Sequence, residues 1–178
     1  MDEDRFWTLI EECRRESGND TEFAARVLFR RLRKFDAATV IAFAQLWEQA
    51  VSSLYSWPVT DAACLLLGPV EEDDLRHILD WIISYGRTVV ERTARDPDSL
   101  ADLAADAGNA RADWFRGFIT EAYIVVSGSW PLGYAPEGPE DLFGDRTDLD
   151  DPTAVHRRFP RLATFRRGHP ELGTPELR

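Results

Sequence analysis

Apolar residues recur at intervals of three and four positions along most of the first 126 residues. The first such series is Phe6, Leu9, Ile10 and Cys13, which stand at positions i, i+3, i+4 and i+7. This spacing places all four side chains on one face of an α-helix. Asp2 precedes the series and is a typical N-cap residue. We therefore predict a first helix that begins after Asp2 and ends near Gly18.

The same periodicity predicts two further helices before Pro58. One follows Asp20 or Thr21, and its inner face consists of Phe23, Val27, Leu28 and Leu32. The other follows Asp36, and its inner face consists of Val40, Ala44, Trp47, Val51 and Leu54. Pro58 is expected to interrupt the pattern, because proline lacks the amide hydrogen that a helix interior requires. A short apolar helix from Asp61 to Leu67 should come next, closed by Gly68 and Pro69.

Three more helical segments complete the predicted bundle. Acidic residues open the first, whose apolar face is Leu75, Ile78, Leu79 and Ile82. Pro97 breaks the pattern, and Asp98 with Ser99 can cap a short helix. The last strong segment spans roughly Ala110 to Val126. Because no alternating strand pattern is present, we predict an all-α fold, a single-domain helical bundle with an irregular C-terminal tail.

The character of the chain changes after residue 126. Residues 127–178 are rich in Gly and Pro, then acidic between Gly138 and Asp151, and then basic between Arg157 and Arg167. We interpret residues 1–126 as a helical domain and residues 127–178 as an extension that packs on it or is partly disordered. Trp130 and Tyr134 are the aromatic residues expected to anchor this extension to the bundle.

Composition and charge restrict the classes of function. A hydrophobic content of 44% with six tryptophans supports a packed core. The net charge of -11 disfavours binding to nucleic acid or to anionic membranes, because both carry negative charge. It favours a basic protein partner or a cationic ligand. Mimicry of nucleic-acid charge is a further hypothesis, which needs carboxylates spaced like phosphates on one surface.

The remaining chemical signals are sparse. Cys13 and Cys64 each lie within apolar periodic runs and are expected to be buried free thiols. The acidic N-terminus has no signal-peptide pattern, and the apolar runs are too short to span a bilayer, so we predict a bacterial cytoplasmic protein. Lys34 is the sole lysine and lies beside no glycine-rich loop, which argues against Schiff-base or P-loop chemistry. No motif for a hydrolytic nucleophile is present, and no cofactor is predicted.

One group of residues could bind a metal ion. Asp73, His77 and Asp80 share one face of a predicted helix at positions i, i+4 and i+7. Glu121 on the last strong helix could supply a second donor. The favoured interpretation is nevertheless structural: acidic residues at a helix N-terminus stabilise the helix by about 0.3–1 kcal/mol each. The run from Asp145 to Asp151 lacks the ligand spacing of a calcium-binding EF-hand loop.

Several motifs together resemble a known bacterial family. The matching positions are Phe6, Trp7, Ile10, Tyr55, Trp57, Ala62, Ala63, Gly68, Trp81, Gly86, Arg87 and the segment from Asp96 to Ala101. These residues resemble the domain-of-unknown-function family numbered four-two-four-zero over roughly the first 125 residues. Departures from its pattern stand at Thr60, Leu67, Pro69, Glu71–Leu75 and Tyr85. The resemblance implies an α-helical domain and implies no activity.

Two hypotheses of function follow. The leading one is a non-catalytic module that acts through protein–protein contact in an accessory, regulatory or immunity-type role. Its expected contact surface consists of Trp57, Glu71, Glu72, Asp73, Asp74 and Arg87. The alternative is an enzyme, or a small-molecule or metal-binding protein, with a polar pocket around Asp73, His77, Arg87 and Glu121. Arg87 is also expected to pair with Asp96 or Asp98 and so to fix the helix break at Gly86.

Overall fold

Three helices form the N-terminal part of the chain. The computed structural model describes residues 1–18, 20–111, 113–130 and 141–177. The first elements are α1 (Glu3–Glu16), α2 (Thr21–Leu32) and α3 (Ala37–Leu54). The carboxylates of Asp2, Asp20 and Asp36 each accept a hydrogen bond from the backbone N–H three residues further along. The aspartates therefore act as N-caps, as their positions in the sequence predict.

Further helices follow in short succession. They are α4 (Trp57–Leu67), α5 (Glu72–Ile83), α6 (Arg87–Arg95), a 3₁₀ segment (Pro97–Asn109), α7 (Phe115–Ser127), α8 (Pro152–Arg158), α9 (Pro160–Arg167) and a 3₁₀ turn (Pro170–Leu172). The described residues contain no β-strand, and the predicted all-α fold is confirmed. Within those ranges, no helix combines the length and the apolar character needed to cross a bilayer.

Some boundaries differ from the sequence prediction. Helix α4 begins at Trp57 and not at Asp61, because the Ser56 hydroxyl caps it and Pro58 lies in its first turn. Proline is compatible with a first turn, where its missing N–H has no helical partner. The segment after residue 127, predicted to be irregular, contains α8 and α9, and each of them also begins with a proline.

Helix α4 has almost no solvent-facing side. Every residue from Val59 to Leu66 is buried, including the polar residues Thr60 and Asp61. A helix buried all around must be covered by neighbouring elements on all of its sides. The 3₁₀ segment packs against α4, and α9 packs against both α4 and the 3₁₀ segment. The 3₁₀ segment and α9 therefore supply much of the cover over α4.

The C-terminal extension supplies part of that cover. Phe159 and Leu162 of this extension are fully buried. Backbone contacts also attach it near both ends of α4. The N–H of Trp57 donates to the carbonyl of Phe143 at 2.9 Å, and the N–H of Val70 donates to the carbonyl of Glu176 at 2.8 Å.

Asp61 adds a contact in the middle of α4, because its buried carboxylate accepts the backbone N–H of Thr147 at 2.6 Å. Burial raises the pKa of Asp61 above its ordinary value. Trp130, by contrast, is 67% exposed, so the prediction that it anchors the extension is wrong. Tyr134 lies outside the described residues.

The two cysteines are buried free thiols, as predicted. Burial raises the pKa of each thiol to about 12. Because the thiolate is the nucleophilic form, neither cysteine is activated for catalysis.

A pair of glycine substitutions tests how tightly the extension closes on α4. Gly68 has a positive φ of 83°, and a Cβ there would lie 2.1 Å from the carbonyl oxygen of Leu172. Gly128 also has a positive φ, of 71°, but a Cβ there would meet nothing within 4 Å. Gly128→Ala should cost about 1–2 kcal/mol from backbone conformation alone. Gly68→Ala should cost more for two reasons: its ψ of -150° lies in a region that almost only glycine adopts, and the backbone at Leu172 must also move.

Urea denaturation of both variants measures this difference in the free energy of unfolding. Equal losses would contradict the close contact between Gly68 and the extension.

Candidate functional site

The N-terminal end of α5 presents a group of exposed carboxylates. Glu71, Glu72 and Asp73 are exposed and make no ion pair with any described residue. Asp74 differs, because its carboxylate lies 3.6 Å from Nε of Arg111. The Arg111 guanidinium also donates to the backbone carbonyls of the α4–α5 connection. Asp74 is thus engaged within the molecule, and the other three remain available to an external cation.

A second group of exposed acids lies on the C-terminal extension. The backbone carbonyl of Glu176 accepts the N–H of Val70, which directly precedes the acidic run of α5. Residues 174–177 and 146–150 together line a groove of about 540 Å³. Exposed Asp148 and Asp150 lie on this groove. We define the acidic surface as Glu71, Glu72 and Asp73 at the start of α5.

Trp57, at the start of α4, contacts one residue of this groove. Its ring is half-buried, and the guanidinium carbon of Arg146 stands 4.6 Å from the ring centroid. Such an arrangement is a cation–π contact. Since Arg146 also lines the groove with Asp148 and Asp150, the Trp57 ring is covered by an arginine of the groove.

The predicted metal donors are not brought together. Asp73 is exposed, Asp80 is buried, and Glu121 is exposed on α7. His77 is partly buried, and its Nε2 lies 3.8 Å from Asp113 Oδ1. Within the described ranges, no three His, Cys, Asp or Glu side chains lie close enough to hold a metal ion. Helical spacing placed Asp73 and Asp80 on one face of α5. The first turn of that face is exposed to solvent, whereas the part that carries Asp80 is buried.

Asp80 belongs instead to a buried polar cluster between α3, α5 and α7. The Trp47 indole Nε1 donates to its Oδ1 at 2.6 Å. Its Oδ2 has no hydrogen-bond partner among the described residues and lies 3.9 Å from Nε of Arg116. Burial raises the pKa of Asp80.

Glu48 joins this cluster from α3, because its carboxylate contacts both Arg76 and Arg116. Burial lowers the pKa of Arg76 to about 10. These partners were missed in the sequence, because residues from three separate helices meet only in the folded chain.

Arg87 does not fix the helix break in the predicted way. Its guanidinium lies 2.9 Å from Asp4 and 3.5 Å from Glu3, both on α1. The prediction that Arg87 pairs with Asp96 or Asp98 is therefore wrong. Arg87 ties the start of α6 to the start of α1, and this leaves it engaged away from His77.

Asp98 has a different role. It is 4% exposed, and its carboxylate accepts the backbone N–H groups of Arg161 at 3.0 Å and Leu162 at 2.9 Å. These donors lie in the first turn of α9, where a helix has no internal acceptors for its N–H groups. Asp98 therefore caps a helix that lies more than sixty residues away in sequence.

Asp106 is the acceptor for a second set of hydrogen bonds. Tyr85, Thr21 and Trp81 donate to its Oδ2 at 2.5, 2.7 and 3.0 Å. Arg14 lies 3.4 Å away and stacks over the Tyr85 ring. Burial alone would raise the pKa of Asp106, but the hydrogen bonds outweigh it and lower the pKa to about 2. The 3₁₀ segment is thereby fastened to α1, α2 and α5.

Replacement of Asp106 tests this network through its pH dependence. We expect Asp106→Asn to lower the free energy of unfolding at pH 7 by about 1–3 kcal/mol, because charge-assisted hydrogen bonds are lost. The lowered pKa means that the stabilisation is present above the ordinary pKa of 3.8 and disappears as pH falls toward about 2. The difference in the free energy of unfolding between wild type and Asp106→Asn should therefore become smaller as the pH falls from 3.8 toward about 2.

The control for this measurement is Asp102→Asn, which removes an exposed ion-pair partner of Arg92 and Arg161. It should cost less than about 1 kcal/mol at pH 7. A stability difference for Asp106→Asn that does not change between pH 7 and pH 2 would show that its carboxylate charge has no such role.

A comparison with known families gives a match. The model for the family described as "Protein of unknown function (DUF4240)" matches residues 1–125. The chain belongs to the DUF4240 family. The family predicted from the sequence is therefore confirmed. Comparison with curated proteins and with solved structures finds no match.

The DUF4240 region has a defined relation to the sites above. It contains α1 to α6, the 3₁₀ segment and most of α7. Asp98 lies inside it, whereas Arg161 and Leu162, whose N–H groups Asp98 accepts, lie outside. A buried carboxylate of the DUF4240 region therefore contacts the C-terminal extension.

Proposed function

We propose that this DUF4240 protein is a non-catalytic cytoplasmic module that binds a basic protein partner through its acidic surface. The observation that carries the proposal is the set of three exposed carboxylates, Glu71, Glu72 and Asp73, that have no ion pair with a described residue. The acidic residues at the starts of α1, α2 and α3 act as N-caps or pair with an arginine. Glu71, Glu72 and Asp73 at the start of α5 do neither, whereas Asp74 beside them pairs with Arg111.

The charge of the whole molecule strengthens this surface. A net charge of -11 raises the local concentration of positively charged partners and speeds their association. Such steering weakens as salt shortens the screening length from about 10 Å at 0.1 M to about 3 Å at 1 M. Trp57, behind Arg146, is an aromatic ring that a partner would reach by displacing that arginine. An accessory, regulatory or immunity-type role suits a surface of this kind.

The alternative of a polar pocket around Asp73, His77, Arg87 and Glu121 has less support. Arg87 pairs with α1, and His77 faces Asp113. Asp80, which does lie in a buried polar cluster, is held by Trp47, and the nearest cations are side chains of the protein itself. This cluster joins helices α3, α5 and α7, and we interpret it as structural.

Charge reversal tests the proposal. Glu71→Lys, Glu72→Lys and Asp73→Lys are combined in one bait, which changes the net charge from -11 to -5, since three reversals add six charges. The matched control is Glu22→Lys, Glu91→Lys and Glu121→Lys, with the same total charge. Proteins captured by wild type from a lysate at about 0.1 M salt are compared by mass spectrometry for all three baits.

A basic species should bind wild type and the control bait, and should be lost from the α5 bait. It should also be released from wild type at about 1 M salt. Capture that survives both the α5 reversal and high salt would rule out this surface. Equal loss from both charge-reversed baits would show that net charge alone, and not the acidic surface, attracts the partner.

A further inference from the structure

Helix α9 lies in a groove made by α4 and the 3₁₀ segment. Phe159, immediately before the helix, and Leu162, in its first turn, are both fully buried. Each side chain contributes about 1.5–3 kcal/mol when it is removed from water. These two residues are the apolar anchors of α9.

The polar contacts in the groove are directed at the start of α9. Asp98 accepts the N–H groups of Arg161 and Leu162 with separate carboxylate oxygens. The Arg161 guanidinium also pairs with Asp102, which Arg92 approaches to 3.1 Å from the other side. An acidic groove of this form recognises three features at once. They are the unpaired backbone N–H groups in the first turn of a helix, an arginine and two apolar side chains. Residues 159–162, with the sequence Phe-Pro-Arg-Leu, combine all three.

The groove and its occupant belong to different parts of the chain. Asp98, Asp102 and α4 lie within the DUF4240 match, which ends at residue 125, whereas α8 and α9 lie beyond it. Helices α8 and α9 have seven and eight residues. Helices of that length are not stable in water without tertiary contacts. Helix α9 therefore depends on its contacts with α4 and the 3₁₀ segment, and α8 packs on α9.

We propose that α4 and the 3₁₀ segment of the DUF4240 domain form a docking groove for a basic helical segment of the Phe-Pro-Arg-Leu type, which residues 159–162 occupy in cis. A partner segment of the same chemistry binds when the chain's own segment is displaced. Occupancy in cis weakens the binding of the partner. The apparent Kd of the partner equals its intrinsic Kd divided by the fraction of molecules in which the groove is free. This inference does not depend on the acidic surface.

Displacement of the internal segment in the full-length chain tests the proposal. Leu162→Asp places a charge at a fully buried position and should release α9. The probe is a fluorescein-labelled peptide of residues 151–169, followed by fluorescence anisotropy. The Leu162→Asp protein should bind this peptide, whereas wild type should bind it at least tenfold more weakly. A peptide that itself carries Leu162→Asp should not bind.

A second substitution locates the binding in the groove. Adding Asp98→Ala to the Leu162→Asp protein removes the acceptor of two backbone hydrogen bonds and should weaken peptide binding at least tenfold. The matched control is Asp113→Ala, which removes one exposed carboxylate elsewhere and should leave the affinity unchanged within about twofold. Peptide binding that is insensitive to Asp98→Ala would overturn the assignment.

Circular dichroism shows whether the released protein stays folded. If Leu162→Asp unfolds the chain, the milder Leu162→Ala takes its place in the same assay, with weaker but measurable peptide binding expected. Loss of the whole fold in both variants would show that α9 is a permanent part of the core and would overturn the proposal. Equal affinity of the peptide for wild type and for the Leu162 variant would also overturn the proposal. A dimer of wild type in light scattering, with α9 exchanged between copies, would overturn occupancy in cis.

Discussion

The burial of α4 on every side constrains the whole arrangement. The run from Val59 to Leu66 is apolar apart from Thr60 and Asp61, which are also buried, so neighbouring elements must surround it. The 3₁₀ segment covers one side, and α9 covers another. Because α9 lies beyond the family match, part of the cover over α4 comes from outside the DUF4240 region of this chain.

Aspartates connect the core to irregular parts of the backbone. Asp61 and Asp98 are buried and accept backbone N–H groups of the extension, the first from Thr147 and the second from the first turn of α9. Asp106 is partly buried and accepts side-chain donors from α2 and α5 and from Tyr85. These three aspartates fasten long-range contacts, whereas Glu71, Glu72 and Asp73 are exposed at the start of α5.

The helices of the first half could be predicted because their signals are local. Apolar spacing and the N-caps Asp2, Asp20 and Asp36 both act within a few residues. The helices of the extension were missed, because α8 and α9 are too short for a strong periodic pattern and depend on contacts with the groove.

The candidate site was predictable only in its exposed part. Glu71, Glu72 and Asp73 are exposed because they stand outside the apolar face of α5. The roles of Asp80, Asp98 and Arg87 depend on partners far away in sequence, namely Trp47, Leu162 and Asp4. Spacing along one helix contains no information about such partners, so Asp80 was grouped with Asp73 although the two lie in opposite environments.

Residue-resolved hydrogen exchange in low concentrations of denaturant is the most direct test of this account. If the DUF4240 region forms the core and α9 fills its groove as a separable segment, the α9 amides should exchange through a partial opening. That opening should need less free energy and expose less surface than the global unfolding that exposes the amides of α4. The same free energy and the same denaturant dependence for α4 and α9 would show one cooperative unit and would contradict the account.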